Sequence, residues 1–298
     1  MIQHPALELS ASLSGVCRIA HALLRDCVWP KLGRFEYSVT ATALAMLAVR
    51  HAEGAATCSQ LGPSGYSPMA SCARAAFETG VLSVWLLNAP TDFEREGRWL
   101  GYYKANSRYW RNLAKDFEQL VPEIAHEWRG RADIIDQWRE RIEEKLPSGQ
   151  VVDRPSFAAI LSELGLAPYY SAYRDASQIV HGEPPSLELV ARSEYTPDAG
   201  EEGKSLFRAS SRRLSFGDFV TGEMWANQVM MASFASTQSC VSVSVLVDAP
   251  ADRIEGVLSA HDRLLNLAEN LRTRRDTNSG TGKEEAAGGR SEGAPHQG

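Results

Sequence analysis

The chain is poor in the features that most often give a protein's chemistry away. Its five cysteines (Cys17, Cys27, Cys58, Cys72 and Cys240) form no Cys-x2-Cys pair, and the seven histidines are scattered. That excludes a disulfide framework and argues against a structural metal site. The cysteines read as reduced, buried small hydrophobes, and no cofactor is expected. Positive charge is not in excess: 31 Lys and Arg against 37 Asp and Glu leave a net charge of -6. Broad, nonspecific binding to nucleic acid needs clustered Lys and Arg, so only a small local site is left open. No apolar run approaches the length needed to cross a bilayer. The start, Met1-Ile2-Gln3-His4-Pro5, lacks the basic then apolar pattern of an export signal. The reading is a cytoplasmic protein with no membrane partner.

What is present is helical period over nearly the whole length. Helices are predicted from about Pro5 to Val28, Phe35 to Gln60, Pro68 to Asn88, Asp92 to Gln119, Pro122 to Lys145 and Pro155 to Leu164, and then to a stop at Gly182. Two more run from Phe216 to Val247 and from Ala251 to Arg272. Trp29-Pro30, Leu61-Gly62-Pro63 and Asn88-Ala89-Pro90 punctuate the series, because proline disfavours helix in the residue before it. The third helix is apolar almost all round and belongs inside a bundle, whereas the fourth and fifth read as an outer, amphipathic arm. The stretch Val241-Ser242-Val243-Ser244-Val245 alternates like a strand, but no breaker parts it from the preceding helix, so it is assigned as helix. Together this predicts an all-α bundle of about eight helices forming one domain over residues 1–272. Residues 184–214 are expected as a long loop, with a small hairpin around Leu187–Ser193 and Ser205–Ala209. Residues 273–298 are expected as a disordered tail, having no apolar side chain larger than alanine.

One helix carries the chemistry-capable groups. In Tyr169-Tyr170-Ser171-Ala172-Tyr173-Arg174-Asp175-Ala176-Ser177-Gln178-Ile179-Val180-His181, an advance of 100° per residue brings Tyr170, Arg174, Ser177 and His181 within roughly 60° of one another. Tyr169, Ala172, Tyr173, Ala176 and Val180 form a separate packing stripe. His181 sits in the last turn, where the negative end of the helix favours imidazolium and moves titration toward neutrality. Arg174 offers planar, bidentate contacts to phosphate. Together they could bind a scissile phosphate, take a proton from a 2′-hydroxyl and stabilise the phosphorane. The same residues allow a purely structural account, in which His181 donates to a carbonyl at the helix end and Arg174 bridges to Asp175 or Glu163.

Arg74 and Glu78, at i, i+4 in the apolar third helix, pose a similar choice. They form either a buried bridge tying two helices together or part of the cavity wall behind His181. Elsewhere the signals are weak. His126 lacks the second histidine of a metalloprotease helix, and Gly62-Pro63-Ser64-Gly65-Tyr66-Ser67 has no lysine and is a turn. Met224, Trp225, Met230, Met231 and Phe234 are core or a dimer face. The basic groups Arg208, Arg212, Arg213 and Arg272, Arg274, Arg275 read as solvated, and secondarily as places to hold RNA backbone.

Arg174, six intervening residues and His181, with Asp175 directly after the arginine, resemble the Arg-x4–6-His motif of HEPN domains, helical bundles found in prokaryotic toxins, abortive-infection proteins and CRISPR-associated nucleases. The resemblance covers about one helix and, as a domain, residues 64–182. It implies a homodimer in which two Arg–His sets form one metal-independent ribonuclease cleft, with RNA as substrate, a toxin or phage-defence role and an antitoxin or other protein partner. Arg174 and His181 would be catalytic, and Tyr170, Ser177, Asp175, Arg74 and Glu78 would bind substrate or support the site. Over about residues 64–190, Arg74-x3-Glu78 followed by Tyr170/Tyr173, Ser177 and His181-Gly182 also resembles a set of uncharacterised bacterial helical proteins with an R-x3-E helix and a Y…S-x3-H-G helix. The alternative is a non-catalytic helical interaction or scaffold protein, as some HEPN-like proteins are.

Overall fold

A computed structural model describes residues 5–33, 35–61, 65–181 and 222–280, with side chains described for 7–33, 35–61, 65–179 and 223–270. Among the described residues the chain is all helical, with no strand. The elements are α1 (Pro5–Leu23), α2 (Glu36–Ser59), α3 (Tyr66–Leu87), α4 (Asp92–Phe117), α5 (Pro122–Glu143), α6 (Phe157–Glu163), α7 (Tyr170–His181), α8 (Gly222–Leu246) and α9 (Ala251–Gly280). A π-turn (Leu24–Val28) and a 3-10 turn (Trp29–Lys31) end α1 before the Trp29-Pro30 break. The alternating Val241–Val245 segment is helix, as assigned. The last helix runs past Arg272 to Gly280, because nothing between them breaks it until that glycine. The expected loop and its hairpin lie outside the described residues, as do residues 281–298.

The centre of the bundle is α8, which packs against α1, α2, α3 and α9, while α2 and α3 form the most extensive helix pair. Small residues make this possible. Ala41, Ala45, Ala48, Ala52, Ala55 and Ala56 of α2 and Ala70, Ala73 and Ala76 of α3 are buried, so backbones approach closely and Trp85, Trp225, Phe77 and Met69 fill the remaining space. A Cβ on Gly80 would stand 2.6 Å from the Ala235 carbonyl oxygen, so glycine sets the α3–α8 crossing. Trp225 and Met231 are buried and Met224, Met230 and Phe234 are half-buried, which makes that stripe core.

Two stretches, Leu7–Lys31 and Glu223–Leu246, are long and apolar enough by length and composition to cross a bilayer. This corrects the sequence expectation, which counted unbroken apolar runs. In both stretches Ala and Ser interrupt the large apolar residues without adding charge, so the average stays high. In the second, 61% of the apolar window is buried by neighbouring helices, which a helix surrounded on all sides requires.

The arm is real. Helix α5 packs mainly along α4, and α4 meets α2 and α3 through its first half. Thr91 and Glu94 form a reciprocal capping box at the start of α4. Arg111 joins Asp133 (2.9 Å) and Asp136 (2.6 Å) across the arm. At its root Trp99 meets Tyr103 and Trp138 and donates to Thr40 at 2.8 Å. The root also does what α2 cannot do for itself. Phe35 gives α2 no side-chain cap, and the buried carboxylate of Glu96 accepts instead from the amides of Glu36 (3.2 Å) and Tyr37 (3.0 Å). Burial nevertheless pushes the Glu96 carboxyl above its ordinary value.

Glu96→Ala strands both amides and is expected to lower unfolding free energy by about 1–3 kcal/mol, read from urea denaturation. A second prediction concerns His261, which is buried between α8 and α9 with Nδ1 2.8 Å from Ser233 Oγ. Burial lowers its pKa from the ordinary 6.5, with Asp262 pulling the other way. The unfolded chain therefore takes up this proton more readily than the folded one. Stability from the neutral ring is complete above the ordinary value and is lost as pH falls through the folded one. Unfolding midpoints between about pH 7.5 and pH 5 should fall with a smaller slope in His261→Asn than in the wild type.

Candidate functional site

Helix α7 is held to the bundle by rings and one carboxylate. Phe77 of α3 meets Phe157, Tyr169 and Tyr173 at centroid separations of 6.1, 6.0 and 6.2 Å, and Phe157 meets Tyr173 at 4.8 Å. Tyr169 stacks on Phe234 of α8 at 4.6 Å. The Tyr173 hydroxyl donates to Glu78 at 2.7 Å. Glu78 also holds Arg74 through Nε (3.1 Å) and Nη2 (3.0 Å), and the Arg74 guanidinium lies 5.4 Å from the Tyr173 ring centre. Arg74, Glu78 and Tyr173 thus form one unit at the α3–α7 junction. Burial, then the Glu78 carboxylate, push the Tyr173 phenol up.

This refines both readings of the Arg74–Glu78 pair. Its side chains are 20% and 35% exposed, so it is half-buried instead of sealed in the core. It does join two helices, through a tyrosine that periodicity assigned to packing alone. The sequence signal for that role was available: a tyrosine on an apolar stripe needs a partner for its hydroxyl.

Three of the stripe residues come together. Tyr170, Arg174 and Ser177 line one open cavity of about 370 Å³ with Tyr173, Gln178 and the start of α6 (Ser156, Phe157, Ala158). Arg174 is exposed, and among the described residues it makes no ion pair or hydrogen bond. Glu163, one partner foreseen for it, is taken: it pairs with Arg98 at 2.7 Å and accepts from Trp85 Nε1 at 3.2 Å. Arg74 and Glu78 do not line this cavity and touch it only through Tyr173.

Asp175 is not part of this cavity. It faces a smaller one of about 100 Å³ between α3, α7 and α8, with Tyr66, Gln228, Met224 and Ile179, because consecutive residues on a helix diverge by 100°. There burial, then Asp175, push the Tyr66 phenol up. Gln178 borders both cavities and was not singled out from the sequence. His181 is the last residue of α7, and its side chain lies outside the described residues, so only its register with Arg174 is fixed.

An all-helical bundle with an arm, whose short seventh helix lines a cavity bearing an arginine without a partner among the described residues, is the class the geometry defines. Residues 41–196, over half of the 298-residue chain, match the Family of unknown function (DUF5677). The chain belongs to that family. The matched segment spans α3 to α7 and includes every candidate site residue. Comparison with curated proteins and with solved structures gave no match.

Tyr173→Phe removes the hydroxyl that Glu78 accepts and is expected to cost about 1 kcal/mol of stability in urea denaturation. In the Glu78→Gln background the same change should cost measurably less, since the two share one interaction.

Proposed function

We propose that the chain is a metal-independent endoribonuclease acting as a homodimer, in a toxin or phage-defence setting. The observation that carries the reading is the exposed Arg174 guanidinium, without a partner among the described residues, on the cavity shared by Tyr170 and Ser177. An arginine kept out of ion pairs at an open cavity suits a phosphate, which it can grip through two parallel N–H donors. His181 follows two turns later on the same face of α7.

In this reading the His181 imidazole takes the proton from a ribose 2′-hydroxyl. The 2′-oxygen then bonds to phosphorus, and the bond from phosphorus to the 5′-oxygen breaks. His181 of the second subunit returns a proton to that oxygen. The products are a 2′,3′-cyclic phosphate and a 5′-hydroxyl. Arg174 balances the charge that grows on the phosphorane oxygens. Ser177 contacts the phosphate, and Glu78 and Arg74 position α7 through Tyr173. Asp175, turned toward the other cavity, has no part in the step. One helix supplies only one Arg–His set, which is why a dimer belongs to the proposal.

The test is incubation with mixed-sequence RNA in EDTA. The wild type should yield cyclic-phosphate ends, with cleavage reduced at least 100-fold in Arg174→Ala and in His181→Ala. Absence of cleavage by the wild type, or equal cleavage by all three proteins, would sink the ribonuclease and leave an interaction protein as the reading.

A further inference from the structure

Resting on that reading of the α6–α7 cavity, we infer that it seats one unpaired nucleotide whose base stacks on the ring of Tyr170 while its phosphate meets Arg174. The resemblance implies only that Tyr170 binds substrate or supports the site, without saying through which group. The geometry points to the ring.

Tyr170 is 36% exposed and stands at the edge of a packed ring cluster, so part of its ring is open to solvent. It lies nearly parallel to Tyr173, with centroids 6.0 Å apart and planes inclined by 24°. Tyr173 is in turn pinned by Phe157 and by its hydrogen bond to Glu78. Tyr170 is thus the exposed edge of a ring cluster whose inner members are held by packing and by the Glu78 hydrogen bond, and it leaves ring surface for one more flat group. A base arriving there gains dispersion and stacking without ordering a new side chain.

The rest of the lining suits a nucleotide. The cavity's volume of about 370 Å³ lies in the range of small-ligand sites, roughly 300–1,000 Å³. Arg174 follows Tyr170 by one turn on the same face, so a phosphate on the guanidinium leaves the attached nucleoside lying toward the ring. Ser177 adds a hydroxyl on the phosphate side. Gln178 and Ser156 border the cavity with groups able to meet a base edge: an amide that both donates and accepts, and a hydroxyl whose oxygen caps α6 and whose proton is left to donate. A paired base has both faces covered by its neighbours and its edge occupied, so only an unpaired nucleotide can use this arrangement.

The experiment measures binding in EDTA of a fluorescein-labelled, mixed-sequence single-stranded RNA to the full chain. The same strand annealed to its complement serves as comparison, and cleavage is followed in parallel. The single strand should bind at least tenfold tighter than the duplex. Tyr170→Phe should bind as the wild type does, whereas Tyr170→Leu, which keeps bulk without a π face, should bind about tenfold more weakly. Thermal unfolding of both variants separates loss of the ring surface from loss of the fold. Should Tyr170→Leu unfold, Tyr170→His at pH 8, flat and neutral, must retain binding. Equal binding of single strand and duplex, or unchanged binding by Tyr170→Leu, overturns the base subsite even where RNA is cleaved. Single-strand binding that depends on Tyr170 without any cleavage keeps the subsite and removes the nuclease. No binding at all removes both.

Discussion

The close crossing of α3 over α8 at Gly80 is the constraint on which the rest of the molecule depends. With hydrogen in place of a side chain, α3 sits against the backbone at Ala235, and a Cβ there would meet both the carbonyl oxygen at 2.6 Å and the Ala235 Cβ at 2.9 Å. That approach fixes the rotation of α3 about its own axis. Once the rotation is set, Gly80, Ala76 and Ala73 are committed to the bundle. Phe77 turns toward α6 and α7, and Arg74 and Glu78 come to the α7 junction. A helix rotated by one residue would carry the carboxylate away from Tyr173.

The site follows from this placement. Helix α7 is short, so propensity alone would not hold it, and its position comes from tertiary contacts. Two tyrosines supply them from neighbouring faces, Tyr169 on Phe234 and Tyr173 on Glu78. Of the outward part of α7, the sector bearing Tyr170, Arg174 and Ser177 faces the α6–α7 cavity, while Asp175 faces the other. Three buried or half-buried ionisable groups elsewhere have partners within the fold: Arg98 with Glu163, Glu96 with two amides, His261 with Ser233. Among the described residues Arg174, by contrast, has no ion pair or hydrogen bond and stands on the cavity with Tyr170 and Ser177.

Much of this was legible in the sequence, because helical period, proline punctuation and capping residues are local signals. The proline opening α5 and the pairing of α4 with α5 as an arm were read from them. The face of α7 was legible for the same reason, since register within one helix needs no knowledge of the fold. Long-range geometry was not legible. Nothing local says that Glu96 caps a helix that starts sixty residues earlier, that Glu163 is claimed by Arg98, or that Asp175 opens onto a different cavity from Arg174. The bilayer-length character of α1 and α8 was missed for a different reason: small polar residues hide a high average from the eye.

The segment leaving α5 returns along α4, where Gly97 and Gly101 have no side chain and the carbonyls of Gln150 and Val152 lie directly on the helix surface. The arm therefore departs from and comes back to the bundle at one place, like the two legs of a hairpin clamped in a vice. Both legs thus meet the bundle beside the first turns of α4, the same turns from which Glu96 accepts from the opening amides of α2.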